Sequence, residues 1–401
     1  MSQSLDHLFD APLIRVIGVG NGGGDAVRHM AAAGIEGADF VHVHTDTRAP
    51  DRASITSVPI GRRATGGRGT AGDPVRGREA AREDRDALGD LVRDVDLLVL
   101  VATMGGGTGS GAAPEIARIA RELEVLTIGV VTEPFPFDPE AHGHVAEEGI
   151  AALARHVDSL IALPVGELLR GSSVDASPFG AFASVGAMLH ATVRIIVETI
   201  TVPSVLGVDF SDMRKVMEQR GRAAAAGSGC GHGEGRVAEA IANAVSSPML
   251  AGVDLHHARG LLVVAEVGTD VLIEEIGQAV DALDGRAADD AVVVLAMVPT
   301  DLAPGELRVT IVATGLPPTA VRASVPAASS RHTPRRQASC GSGNEAGVAR
   351  SESGGEADDA MARTLVRSAR VTSPGPAAAR FGGAACGAVV AVGRGAEQGG
   401  A

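Results

Sequence analysis

Two glycine-rich turns are where this chain of 401 residues could do chemistry. The first lies in "VIGVGNGGGDAVRHM", Val16 to Met30, where an apolar strand runs into glycines and then a helix-like stretch. Gly18, Gly20 and Gly23 have the G-x-G-x-x-G spacing of a dinucleotide-binding turn. Asp46 closes the next apolar stretch, "FVHVHTD", where a ribose-binding carboxylate would sit. Alone, that pattern fits a nicotinamide-dependent oxidoreductase. The second turn, "ATMGGGTGSGAAP" from Ala102 to Pro114, follows the strand-like "DLLVLV", and Gly105 to Ser110 are all Gly, Thr or Ser. Without Cβ atoms a backbone can approach an anion closely. Successive N–H groups and a helix N-terminus then surround phosphate oxygens, while Thr108 and Ser110 offer hydroxyls. No Lys follows the glycines, so this is not a Walker loop. A dehydrogenase needs one such turn; two, each closing a strand and opening a helix, point to a different phosphate ligand.

The elements that must hold these turns are legible as alternating patterns. Apolar runs at Leu13–Val19, Phe40–Val43, Leu97–Ala102, Leu126–Val131 and Ser159–Leu163 alternate with helix-like stretches such as Ala112–Glu124. This predicts a doubly wound parallel sheet with its ligand site at the strands' C-terminal ends. A long helix is expected over Pro178–Ile200. Beyond Pro203, helical "DMRKVMEQR" and "RVAEAIANAV" and the runs "GLLVVAEV", "AVVVLAMV" and "LRVTIVATG" predict a second, smaller α/β domain. Ala223–Gly235, "AAAAGSGCGHGEG", reads as a loop. After Gly315 the chain is rich in Pro, Ala, Ser, Gly and Arg, too poor in large apolar residues to offset its ordering entropy, and disorder is expected.

Composition excludes several classes. The formal charge of −14 argues against a general nucleic-acid binder. It is unevenly spread: the tail from Pro317 carries ten Arg against six acidic residues, about +4, which leaves the rest near −18. Three distant cysteines without a C-x-x-C pair fit a reducing, cytoplasmic setting. The N-terminus lacks the pattern of a signal peptide, and no run of about 20 uncharged apolar residues predicts a membrane span. His142, His144, His156, His256 and His257 have no metal-site spacing, so no metal ligands are assigned among them.

Around "GGGTGSG" (Gly105–Gly111) the chain resembles the tubulin-like cell-division GTPases of the FtsZ family. The likeness extends over "IRVIGVGNGGGDAVRHM", "EDRDAL", "VVTEPFPF", "HVDSLIALP", "VDFSDMRKVM", "VSSPML" and "LRVTIVATG", from about Leu13 to Gly315. It implies a GTP-binding domain (13–177), a central helix (178–202), an activation and polymerisation domain (203–316) and a disordered tail (317–401). It also implies GTP with accompanying Mg2+, and a second domain that completes the neighbour's active site in head-to-tail filaments at the division septum. Division proteins would be partners through the tail, although the final "FGGAACGAVVAVGRG" does not resemble the family's docking peptide.

Carried over residue by residue, the nucleotide would meet Gly20, Asn21, Gly22, Gly23, Gly24, Asp25 and Asp46 first. It would also meet Ala71 and Gly72 of "TAGDP", Gly105, Gly106, Gly107, Thr108, Gly109 and Ser110, then Asp138 and His142 at the ribose and Phe182 at the base. Several of these depart from the family. Asn21 stands for a Gly and is expected to tolerate positive φ; Asp25 stands for an Asn and is expected to cap the following helix. Asp138 and His142 replace Glu and Arg, shortening one carboxylate and removing one permanent charge. The guanine-reading Asn-Asp pair is Gly186-Ala187, which offers the base no side-chain acceptor. The catalytic loop has Gly207 for Asn but keeps Asp209 and Asp212, whose carboxylates could polarise water beside a γ-phosphate. An active filament-forming GTPase is the leading reading. A hydrolysis-impaired, nucleotide-binding paralogue that serves such filaments is the second, and the oxidoreductase the third.

Overall fold

The computed structural model describes residues 12–48, 55–171, 178–202, 207–220, 222–250, 253–283, 286–288 and 290–317. The disorder expected of the tail therefore falls outside the described residues, residue 317 excepted. In chain order the first elements are β1 (Ile14–Val19), α1 (Gly20–Ala33), β2 (Ala38–His44), β3 (Thr56–Pro59), α2 (Arg62–Thr65), α3 (Pro74–Glu83), α4 (Arg85–Val92) and β4 (Leu97–Thr103). Then come α5 (Gly107–Glu122), β5 (Leu126–Thr132), α6 (Glu140–Ala154), β6 (Ser159–Leu163), α7 (Val165–Gly171), α8 (Pro178–Thr201) and α9 (Phe210–Met217). The last are β7 (Ala223–His232), α10 (Arg236–Val245), β8 (Gly260–Val267), α11 (Ile273–Leu283), β9 (Val292–Pro299) and β10 (Glu306–Leu316).

Strands β3-β2-β1-β4-β5-β6 are parallel neighbours, as the alternating pattern predicts. Each central strand is buried on both faces: Leu97, Val99 and Val101 of β4 enter one core, Leu98, Leu100 and Ala102 the other. Successive side chains of a strand alternate, so two-sided burial produces unbroken apolar runs. Helices α1, α8 and α9 cover the first core, and α3, α4, α5 and α6 cover the second.

Two expectations need correction. The chain predicted as a loop at Ala223–Gly235 is largely strand β7, which pairs in parallel with β6, Leu160 opposite Ala223 and Ile161 opposite Ala224. Through β7 the sheet continues antiparallel to β10, then to β8, with β9 parallel at the edge, so the ten described strands form one sheet. Gly227, Gly229 and Gly231 explain the composition. A Cβ built on them would lie 2.5, 2.3 and 1.8 Å from the carbonyl oxygens of Ala244, Ala240 and Arg236. Helix α10 rests directly on the strand's backbone, and only glycine permits that approach. Conversely, the glycine runs expected as loops are helix: α1 begins at Gly20 and α5 at Gly107.

Helix α8 has 24 residues, about 36 Å at 1.5 Å per residue. Its stretch Gly180–Thr201 is long and apolar enough to match a membrane span by composition. Instead, Leu189, Val193, Ile196 and Val197 are buried in the first core, and Arg194 pairs with buried Glu266 of β8 at 2.6 Å. It is the core helix between the two halves of the sheet.

Candidate nucleotide site

The two glycine turns meet because β1 and β4 are adjacent and parallel. Gly20 turns the chain with φ +76°, and a Cβ there would lie 3.3 Å from Gly109 N and 3.3 Å from Thr108 Cβ. A Cβ at Gly22 would fall 2.4 Å from Thr103 Oγ1, at Gly23 2.5 Å from Val101 O, and at Gly24 2.1 Å from His42 Nε2. The second turn is packed as tightly. Gly107 lies against Thr70 Oγ1 and the Asp73 backbone, Gly109 against Thr103 O, and Gly105 (φ +98°) against the His142 backbone. Gly106 differs: it is exposed, and a Cβ there meets nothing within 4 Å. Neither α1 nor α5 has a side-chain cap or an acidic residue in its first turn. Their first N–H groups are thus left for an anion, with both helix dipoles favouring negative charge.

Hydroxyls gather beside these N–H groups. Thr108 Oγ1 lies 2.8 Å from Thr45 Oγ1 and 3.4 Å from Thr70 Oγ1. Ser110 turns inward, 2% exposed, and its hydroxyl accepts from Gly105 N–H at 2.9 Å, bracing the turn from below. In the "TAGDP" turn Ala71 has φ 52° and Gly72 φ 82°, while Asp73 caps α3 by accepting from Val75 N–H at 2.8 Å. Ala71 thus holds a left-handed conformation that costs an L-residue about 1–2 kcal/mol.

The other predicted residues spread around this centre. Asn21 is an exposed residue of α1 and does not use positive φ; the turn's positive φ belongs to Gly20. Asp25 is no helix cap, because α1 starts five residues earlier; it is exposed and ion-paired to Arg28. Asp46 holds Arg48 at 2.9 Å and accepts from its backbone N–H at 3.0 Å, contacts that pull its carboxyl down to about 2. Asp138 accepts from Phe135 N–H at 2.9 Å and so closes its own turn, while His142 sits in the first turn of α6 beside Gly105. Phe182, 54% exposed on α8, has its ring 4.5 Å from Phe135 and 6.3 Å from Phe137. Gly186 follows one turn later, and a Cβ there meets nothing within 4 Å.

Asp209 and Asp212 are not brought to the glycine turns. Helix α8 starts at the strands' C-terminal end, the side of the glycine turns, where Phe182 meets the chain after β5. It ends at the strands' N-terminal edge, where the Thr201 hydroxyl donates to Glu36 O at 3.4 Å. Helix α9 is fixed at that edge, since the Ser159 hydroxyl at the start of β6 donates to Met217 O at 2.6 Å. Asp209 caps α9, accepting from Asp212 N–H at 2.8 Å and the Ser211 hydroxyl at 2.7 Å, which lowers its pKa. Asp212 is half-buried and pairs with Lys215 at 3.0 Å. Both acids therefore lie at the opposite end of the strands from Gly105–Ser110. Residues missing from the sequence reading are Thr45, Thr103 and His42. Thr103 ends an apolar run just before the second glycine turn, a signal that could have found it, whereas Thr45 meets Thr108 only through the fold. His42 had none, because its partners lie on another element.

Known proteins match along this geometry. The model of the Tubulin/FtsZ family GTPase domain covers residues 13–172, and that of the FtsZ family C-terminal domain covers residues 221–317. The cell division protein FtsZ of Azotobacter vinelandii is 41% identical over 317 residues, 79% of this chain and 80% of that one. Its counterpart from Coxiella burnetii is 43% identical over 304 residues, covering 76% and 78%. An empty FtsZ dimer from M. jannaschii superposes with a TM-score of 0.71 at 31% identity, over 77% of this chain and 89% of that one. The oxidoreductase reading falls with these matches: the chain belongs to the FtsZ family of tubulin-like GTPases.

Proposed function

We propose that this chain binds GTP at the paired glycine turns, hydrolyses it between two subunits, and polymerises head to tail into filaments of the cell-division ring at the septum. The observation that carries the reading is the separation just described: uncapped helix N-termini at one end of the sheet, two carboxylates at the other. Backbone N–H groups of Gly20–Gly24 and Gly105–Gly109, with the Ala71–Gly72 turn, hold phosphates. Asp46, Asp138 and His142 face the ribose, and Phe182 stacks on the base. The next subunit brings Asp209 and Asp212. Asp212 orients the water that attacks the γ-phosphorus as the bond to the GDP oxygen breaks, and Asp209 holds the loop that carries it. A magnesium ion bound with the nucleotide would neutralise phosphate charge. The hydroxyls of Thr45, Thr70 and Thr108 suit that ion. The cytoplasm is the site of action, and the tail recruits division partners.

A complementation assay tests the shared site. Asp212→Ala leaves the phosphate turns intact, and Gly106→Val leaves the acids intact. Each alone should release little phosphate from GTP. Mixed one to one, about a quarter of randomly formed head-to-tail interfaces pair a bound nucleotide with intact acids, and phosphate release should recover accordingly. Light scattering with GTP against GDP reports assembly in the same samples. A mixture no more active than its parts, or activity independent of protein concentration, would refute the shared site.

A further inference from the structure

His42 lies on β2, 1% exposed, and touches the first glycine turn from beneath. Its Nε2 is 3.1 Å from Gly20 O, and its Nδ1 is 3.3 Å from Arg28 Nη1. Arginine has only donors, so Nδ1 must accept; a carbonyl only accepts, so Nε2–H must donate. One tautomer of the neutral ring satisfies both. The ring occupies space that Gly24 leaves open, since a Cβ there would lie 2.1 Å from Nε2. His44, two residues on and on the same face, lies with its ring tilted by 33° to that of His42, 4.8 Å between centroids. Its Nδ1 lies 2.8 Å from Asp46 O and its Nε2 2.9 Å from Ser57 Oγ, which in the neutral ring requires the opposite tautomer.

We propose that His42 is a positioning residue for the nucleotide: its Nε2–H fixes the Gly20 carbonyl and so aims the Asn21 N–H at the phosphates. A trans peptide is planar, so holding its oxygen directs its N–H the opposite way. That N–H is one of the uncapped donors of α1. A hydrogen bond to the carbonyl also polarises the peptide and strengthens its N–H as a donor. Gly20 is, moreover, the residue that abuts Thr108 and Gly109, so its orientation sets how the two phosphate turns meet. The charged or titratable groups facing His42 are Arg28 and, through it, Asp25 on α1, and His44 on β2. Burial, His44 and Arg28 all disfavour a charged ring, which keeps the donor–acceptor assignment fixed near neutral pH.

The inference rests on the nucleotide reading, and two measurements separate their failures. In the parent protein labelled with 15N-histidine, long-range proton–nitrogen spectra should show His42 as the Nε2–H tautomer at neutral pH, with a slowly exchanging ring proton. In binding titrations of a fluorescent GTP analogue, His42→Leu fills the space without a donor and should raise Kd about fivefold, the worth of one hydrogen bond. KM should rise in parallel, with kcat within twofold. His42→Gln, which restores an amide donor at similar reach, should recover most of the affinity. Unchanged affinity in His42→Leu, no rescue by Gln, or the Nδ1–H tautomer in the parent would each overturn the proposal. If His42→Leu does not fold, the parent's tautomer and the affinity of His42→Gln still decide it. A parent protein that binds no GTP would sink the nucleotide reading instead.

Discussion

Gly106→Val is the sharpest probe of the proposed phosphate site, because Gly106 and Gly107 are chemically identical neighbours in opposite surroundings. Gly106 has φ −85° and ψ 154°, an extended conformation that valine adopts readily, and its Cβ would enter open space. A Cβ on Gly107 would lie 2.4 Å from Thr70 Oγ1 and 2.6 Å from the Asp73 backbone nitrogen, below any normal contact distance. Overpacking of that kind costs about 1–3 kcal/mol. Gly107→Val should therefore lose stability as well as ligand, with Tm falling by several degrees at about 2–4 °C per kcal/mol for a domain of this size. Gly106→Val should keep the parent's Tm without nucleotide and still lose GTP binding, since the side chain occupies the space before the α5 N-terminus. Scanning calorimetry of nucleotide-free protein, paired with titration of a fluorescent GTP analogue, reads both quantities. GTP binding by Gly106→Val at parental affinity would refute the placement of phosphates at this turn.

His42 gives a pH dependence with a defined sign. Burial, first of all, lowers its pKa from 6.5 to about 4, so the unfolded chain binds the extra proton between those values. This contribution is fully present above pH 6.5 and is lost as pH falls towards 4, up to about 3 kcal/mol; urea melts of the parent should lose that much more over this range than those of His42→Gln. Gly186-Ala187 supplies no base acceptor, so GTP should be favoured over ITP by about 5- to 150-fold less than a carboxylate would achieve. The double substitution Gly186→Asn with Ala187→Asp should raise that preference in competition titrations, since space is open at Gly186. Ala71→Gly removes a left-handed alanine and should stabilise the protein by about 0.5–1 kcal/mol in urea melts, after glycine's greater unfolded-state entropy is deducted; a destabilised variant would mean that the alanine methyl packs usefully.

The parallel half of the sheet was readable because its strands are buried on both faces. Runs such as Leu97–Ala102 and Leu126–Val131 become strands within a residue of their predicted ends. The long helix was readable for the same reason, its apolar positions recurring over a length no strand reaches. Strand β3 was missed because Thr56–Pro59 is short, at the sheet edge and only partly buried. In the candidate site, the residue types were visible but their partners were not. Asp138 and Asp209 each use a carboxylate on a local backbone N–H, and Asp25 pairs with Arg28 rather than capping. Such choices depend on where a helix begins, and the sequence placed those beginnings late.

The late placement has one physical cause, which also explains the misread strand. Glycine has poor helix and strand propensity, so a local reading assigns glycine runs to loops. At α1, α5 and β7 those runs instead mark places where one backbone lies on another. Gly23 meets Val101 O, Gly109 meets Thr103 O, and Gly229 meets Ala240 O, at 2.5, 2.5 and 2.3 Å from where a Cβ would stand. The unfavourable local propensity is offset by close packing that no other residue permits. At β7 the close approach seats α10 on the strand that continues the sheet into its second half. At the two turns it brings uncapped helix N-termini side by side. The same absence of a Cβ thus serves close packing in both halves of the chain and, on the function proposed above, leaves room for an anion at the two turns. What distinguishes the two uses is Gly106, the glycine of the second turn at which a Cβ would meet nothing within 4 Å.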